Sequence, residues 1–186
     1  MPSSYSNIAS ATTHALQDRL PTSDRNVAGR WSSVGCGSDG GSSGSGGGGT
    51  AYRCVDDPIG SPNNGTDYIQ IRNRSGKEAI FGFSPLNIPS GATIQFVRVT
   101  YVAIANGGSA NIKAALRVRS NVYTQPTAQA LSSTWTTYSY DWTVNPRTGV
   151  AWTVAEINGG ALEGMGVYSG NGDESVTQVY VTVVYR

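Results

Sequence analysis

The chain reads as an all-β protein, a β-sandwich with one short helix and an extended N-terminal arm. Three observations predict this. From Ala51 onward, short stretches rich in Val, Ile, Thr and Tyr alternate with turn formers, the spacing of a sandwich or barrel. The turn formers are Asn63-Asn64-Gly65, Ser75-Gly76, Pro89-Ser90-Gly91, Asn106-Gly107-Gly108 and Gly170-Asn171-Gly172, residues that tolerate tight or left-handed backbone. The chain then closes on VTQVYVTVVYR, residues 176–186. Val179, Val181, Val183 and Tyr185 share one face of that segment; Tyr180, Thr182 and Val184 share the other. A strand so apolar on both faces belongs near the middle of a sheet, covered on both sides.

The elements follow in order. Residues 1–34 are polar and read as an arm that orders against a partner. Their one helical signal is THALQDRL, Thr13 to Leu20, with Thr12 or Thr13 as N-cap and Pro21 beyond its end; so short a helix is marginal alone in water. Tyr5, Ile8, Leu16, Leu20 and Trp31 are the arm's docking residues. Residues 35–50 hold nine glycines in the fifteen positions 35–49 and read as a linker, or as a loop laid flat on a partner. Residues 51–186 form the sandwich. Its strands are expected at Ala51–Val55, Asp67–Arg72, Ala79–Ser84, Thr93–Ala105, Ala110–Arg119, Thr127–Ser132, Thr136–Thr143, Met165–Ser169 and Val176–Arg186. Alternation places Val97, Val99, Tyr101 and Ala103 in the core, with Ile112, Ala114, Leu116 and Val118 from the next strand. A helical turn is expected over Trp152–Ile157, starting near Thr148 or Gly149.

Composition narrows the function. A chain of 186 residues suffices for one sizeable core;. Charged residues are 13% and the net charge is +1, which points away from nucleic acid and polyanions. No apolar run reaches 18 residues, so no helical membrane span is expected. The first residues lack the basic and apolar regions of a signal peptide, so synthesis in the cytosol is expected. Cys36 and Cys54 could close the glycine-rich loop as a disulfide, although the cytosol disfavours one. Without nearby histidines they make no zinc site.

Catalytic chemistry is sparse. The sole histidine, His14, has no partner base or nucleophile in sequence;. Asp56, Asp57 and Asp67 could gather around Ca²⁺ or cap turns, and turn capping is the simpler reading without an acidic loop motif. Tyr138, Tyr140 and Trp142 alternate on one strand face. They form either a platform for sugar rings or part of the core, and the scarcity of other large apolar residues favours the core. No cofactor and no enzyme activity are expected.

The segment Asn145-Pro146-Arg147-Thr148-Gly149-Val150-Ala151-Trp152-Thr153 resembles the N-P-x-T-G-x-x-W-T signature of a jelly-roll β-sandwich domain found in bacteriophage virion proteins. Ile88-Pro89-Ser90-Gly91-Ala92-Thr93-Ile94 resembles the same family's turn into its long strand. Thr177-Gln178-Val179-Tyr180-Val181 resembles its closing strand, and Val55-Asp56-Asp57 with Thr66-Asp67-Tyr68-Ile69 is similar to its first paired strands. The resemblance covers roughly residues 51–186. It implies a jelly roll similar to carbohydrate-binding modules, with Asn145, Pro146, Gly149, Trp152 and Tyr180 as structural signature residues. It also implies a non-enzymatic virion protein assembled in the host cytoplasm. The expectation is a capsid decoration, or cement, protein anchored by its arm on the major capsid protein or other virion subunits, as a homo-oligomer for which a trimer is reasonable. The alternatives are a glycan-binding module on a tail or surface protein, taking a host glycan, and a tail or neck connector subunit.

Overall fold

A computed structural model describes residues 14–28, 31–36 and 50–186. Two antiparallel sheets face each other across one core. In chain order the strands are β1 (Ala15–Arg19), β2 (Pro21–Val27), β3 (Ser32–Val34), β4 (Tyr68–Ile71), β5 (Glu78–Phe83), β6 (Ile94–Ala105) and β7 (Asn111–Val118). Then come β8 (Asn121–Thr124), β9 (Gln129–Ala130), β10 (Thr136–Trp142), the helix α1 (Val154–Asn158), β11 (Leu162–Asn171) and β12 (Glu174–Tyr185). The first sheet runs β10-β6-β12-β4-β3, with β1 also on β12; the second runs β2-β5-β11-β7-β8, with β9 also on β7. This is the all-β sandwich that the pattern of short strands predicts, and the jelly roll that the resemblance implies.

The expected core residues are in place. Val97, Val99 and Ala103 on β6, and Ile112, Ala114, Leu116 and Val118 on β7, are fully buried, and Tyr101 nearly so. β12 lies inside its sheet as expected. Val179, Val181 and Val183 are fully buried; on the other face Thr182 is buried and Tyr180 and Val184 are half-exposed, so the expected cover on that face is partial.

Three local expectations are corrected. The helix predicted over Thr13–Leu20 is the strand β1, which pairs with β12 from Ala15↔Tyr185 to Arg19↔Val181. The unpaired backbone of β12 outweighs a weak helical pattern. The expected strand Ala51–Val55 is a 3-10 turn over Ala51–Cys54, started by Asp24, whose carboxylate accepts from the Ala51 and Tyr52 amides at 3.0 and 2.7 Å. The hairpin strand β8 was not foreseen; its turn uses Arg119 and Ser120 at φ 44° and 67°, a conformation that sequence alone rarely advertises for these residues.

The arm is also corrected. Its described part is woven into both sheets: β1 on β12, β2 on β5 and β3 on β4. Trp31 is 2% exposed, and its indole donates to the Lys77 carbonyl at 3.2 Å. Leu20 is half-buried at the crossing from β1 to β2, and Leu16 stands 63% exposed. Tyr5, Ile8 and most of the expected linker lie outside the described residues. Cys36 and Cys54 are joined by a disulfide, with their Cα atoms 5.0 Å apart, so the open question about these cysteines resolves to a bridge.

Two predictions follow from this weave. A fragment of residues 51–186 lacks β1, β2 and β3 and leaves the edges of β5 and β12 unpaired; no cooperative thermal transition is expected from it, whereas the full chain shows one. Cys36→Ser removes a cross-link over a sequence separation of 18 and is expected to cost about 3 kcal/mol. The loss is read from the urea midpoint, and reductant on the unmodified chain should reproduce it.

Candidate functional site

The outer face of the first sheet is the candidate site, and strand alternation builds it. Because Val97, Val99 and Tyr101 point inward, Phe96, Arg98 and Thr100 point outward. The register lines them up with outward residues of the neighbouring strands. Arg98 stands between Asp141 of β10 and Thr182 of β12, and Asp18 of β1 follows Thr182. Phe96, Val184 and Leu16 form an adjacent row, and Ser139, Thr100 and Tyr180 form a third.

The polar row is held by its own bonds. Arg98 donates Nε to Asp141 Oδ1 at 2.6 Å and a terminal nitrogen to Oδ2 at 2.7 Å, a bidentate pair;. That bond raises the guanidinium pKa further, so Arg98 stays charged. Both side chains are partly exposed, at 40% and 33%, so the pair adds no more than about 1 kcal/mol to stability. Its consequence is geometric: it fixes a planar cation beside Phe96, whose ring centre lies 5.0 Å from the guanidinium carbon. Thr182 donates to Asp18 Oδ1 at 2.5 Å. Rows of one face repeat every two residues, so Phe96 and Tyr180 stand about 13 Å apart along the strands. The result is a sheet face with apolar and aromatic groups on either side of oriented hydrogen-bonding groups.

The three rings weighed as a sugar platform or as core lie on the opposite face, toward the core. Tyr138, Tyr140 and Trp142 pair with Tyr101, Val99 and Val97 and so point inward. Tyr138 stacks on Tyr101 with centroids 5.6 Å apart, and its hydroxyl accepts from the Ser132 amide at 2.8 Å. Tyr140 meets Trp142 edge-on at 4.6 Å. Trp142 is 7% exposed, with the two tyrosines half-buried against the core. β10 is an edge strand, and its rings close the open side of the sandwich. Alternation shows that the three rings share a face but not which face is wet.

The signature residues divide in the same way. Asn145 is 1% exposed; its amide donates to Glu156 Oε1 at 2.9 Å, and its side-chain oxygen accepts from the Arg147 amide at 2.9 Å. Its carbonyl takes the Thr148 and Gly149 amides, and Gly149 holds φ 73°. Pro146 is half-buried at the start of this turn. Glu156 also closes a capping box on Thr153, which is the helix cap in place of the expected Thr148 or Gly149;. Trp152 is 4% exposed, and its indole donates to the Trp142 carbonyl at 3.0 Å. Tyr180 departs from this structural set, because it faces outward among the site residues.

The acidic residues near β4 are tied to turns. Asn63 donates its side-chain amide to Asp57 at 3.0 Å and to Asp67 at 2.6 Å. Burial, more than the neighbouring carboxylates, raises the pKa of Asp56 and Asp57. Among the described residues no group of three or more His, Cys, Asp or Glu could hold a metal ion. The sequence reading missed Phe96, Arg98, Asp141, Asp18 and Thr182. The alternation of Phe96, Arg98 and Thr100 against the buried valines was a usable signal, but Asp18 was hidden inside a segment read as helix.

No protein-family model matches the chain, and no curated protein matches it. Solved structures do. The CBM22-1–GH10 modules of a Clostridium thermocellum endo-1,4-beta-D-xylanase, complexed with xylohexaose, match at TM-score 0.46 and 12% identity. That match covers 92% of this chain and 28% of that one, so this chain spans less than a third of the xylanase modules' length. The C-terminal CBM6 of a Zobellia galactanivorans laminarinase matches at 0.44 and 12%, covering 91% and 99%. A CBM22-1 xylan-binding domain from Paenibacillus barcinonensis matches at 0.41 and 9%, covering 94% and 97%. Likeness at this level says nothing of ligand or role.

Asn145→Ala tests the signature turn. It leaves the Glu156 carboxylate and the Arg147 amide without their buried partner, and a loss of about 1–3 kcal/mol in unfolding free energy is expected. Chemical denaturation measures it, and the fold should survive.

Proposed function

We propose that this protein is a non-catalytic glycan-binding module whose binding surface is the outer face of β10, β6, β12 and β1. The observation that carries the reading is the layout of that face. Half-exposed rings at Phe96 and Tyr180, with exposed Leu16, flank a row of hydrogen-bonding groups held in place by the Arg98–Asp141 and Thr182–Asp18 bonds. Sugars present apolar ring faces and a rim of hydroxyls, so a recognising surface needs both kinds of group in fixed positions. All of these residues sit on paired strands, which hold them more firmly than loops would.

Decoration of a capsid through a free N-terminal arm draws less support. In the described part of that arm, β1, β2 and β3 are taken up by pairing within the sandwich, so that part is not free to lie on a capsid. The disulfide suits a protein that works in an oxidising medium;. A virion surface and a secreted protein both meet that condition, and a glycan binder suits either.

Affinity electrophoresis in gels containing neutral or acidic polysaccharides tests the proposal. The unmodified protein should be retarded by at least one of them. Phe96→Ala and Tyr180→Ala should each weaken that binding about fivefold, from roughly 1 kcal/mol per ring, with little change in melting temperature. Tyr138→Ala should do the reverse, lowering stability and leaving binding intact. No retardation by any polysaccharide, or equal retardation of all three variants, would sink the reading.

A further inference from the structure

Glu174 is the first residue of β12 and points into the sandwich. Its register partners are Ile71 on β4 and Ala105 on β6, both buried. Glu174 itself is 0% exposed, and among the described residues neither carboxylate oxygen has a hydrogen-bond partner. An unpaired charge at such a place is costly. Burial accordingly pushes its pKa from 4.5 up to about 8; the charge of Asp173 adds to this, and the nearby Gly170 backbone opposes it.

The elements around Glu174 bring it no cation. β4 offers Ile69 and Ile71 and β6 offers Ala103 and Ala105 on the inner face, while the inward residues of the opposite sheet at this end are Ser169 and Ile112. Ser169 Oγ already accepts from the Lys77 amide at 2.9 Å. Arg72 and Arg74 beyond β4 are exposed, and Lys77 and Glu78 at the start of β5 are half-buried. Of the charged groups at this end only Asp173 acts on Glu174, and it is an acid.

The turn carrying Glu174 is clasped by two other loops. The Asn73 amide donates to the Gly172 carbonyl at 3.1 Å and to Asp173 Oδ1 at 2.8 Å. The Asn106 amide donates to the Asp173 carbonyl at 2.8 Å, and its side chain donates to Ser175 Oγ at 2.6 Å. Gly172, at φ 93°, packs so closely that a Cβ there would lie 2.5 Å from the Ser109 carbonyl oxygen. Glu174 is 0% exposed, so it meets water only when its surroundings move, and this clasp is what holds its turn in place.

We infer that Glu174 makes this end of the sandwich an acid-fastened latch: the neutral acid is held in the closed turn, and the carboxylate is accommodated by releasing the turn between β11 and β12 to water. The sign follows from proton linkage. The closed form keeps its proton up to about pH 8, and the open form loses it near 4.5. Between those values opening releases one proton, so the opening equilibrium rises about tenfold per pH unit. It is level below that window, where both forms are protonated, and level above it, where both are ionised. The latch is therefore tight in acid and loosens progressively toward pH 8.

Two measurements on the full chain test this. The first is the carboxyl carbon resonance of Glu174, followed from pH 4 to 10. The second is hydrogen exchange at the Asn73 and Asn106 amides over pH 5–8, corrected for intrinsic exchange and compared with mid-strand amides of β6. The proposal expects a titration near 8, with protection at Asn73 and Asn106 falling about tenfold per pH unit and the β6 amides unchanged. Glu174→Gln should make protection at both amides independent of pH. A carboxyl that titrates at an ordinary carboxylate value overturns the proposal. So does a titration near 8 with constant protection at the two amides, and neither of those results needs the variant to fold.

Discussion

One edge of β12 organises the molecule. On its other side β12 pairs with β6 along nearly its whole length, from Glu174↔Ala105 to Tyr185↔Ile94. The remaining edge is divided among three pieces of chain. β4 pairs with Glu174–Val176, the segment after the 3-10 turn bridges at Asp56↔Gln178, and β1 takes Val181 to Tyr185. A register shift between Val176 and Gln178 makes the division possible. The extra residue, Thr177, keeps both Val176 and Val179 pointing inward, and its hydroxyl donates to Asn63 Oδ1 and the Asp67 carbonyl at 3.0 and 2.9 Å;. Gln178 donates to the carbonyls of Asp57 and Pro58 at 2.9 and 2.8 Å. Backbone groups that would be orphaned where one neighbour ends and the next begins are thereby met.

That arrangement explains why the two faces of the first sheet differ. The inner face is closed by the second sheet and, at the β10 edge, by Tyr138, Tyr140 and Trp142. At this edge the aromatic wall takes the place of aliphatic side chains. The outer face is only partly covered, with Thr100 and Thr182 buried, and its half-exposed Phe96, Tyr180 and Val184 are kept orderly by their row partners. The N-terminal strand matters here as well, because β1 supplies Leu16 and Asp18 to that face. Residues that resemble a detachable leader in the sequence are part of the candidate site.

The sandwich itself was legible because alternation in β6 and β7 is strong and one-sided and the last strand, β12, is apolar along its length. Val97, Val99 and Tyr101, and likewise Ile112, Ala114 and Leu116, could hardly sit anywhere but a core. The N-terminal strands were not legible. Ala15–Arg19 has no strand signal of its own, and its conformation is imposed by an edge 160 or more residues away, as the Thr182–Asp18 separation of 164 shows. The candidate site was half legible. Phe96, Arg98 and Thr100 follow from the buried residues between them, but their neighbours depend on register, which the sequence of either strand alone does not carry. Tyr138, Tyr140 and Trp142 show the converse limit, because periodicity groups residues on a face without saying what covers it.

β12 thus carries three different demands on one alternating pattern. Its odd positions from Val179 to Val183 belong to the core, and its even positions from Tyr180 to Val184 belong to the outer face. The register shift at Thr177 isolates Glu174 and Val176 from that alternation, so the strand can direct an acid into the interior at one end without disturbing the face at the other. A regular strand could not do this: with Val179 inward and no extra residue, Glu174 and Val176 would both turn outward;. The irregularity therefore separates the end that responds to protons from the end that presents a surface. It lets the turn between β11 and β12 open without breaking the β1 pairing, at the far end of β12, that holds Leu16 and Asp18 in place.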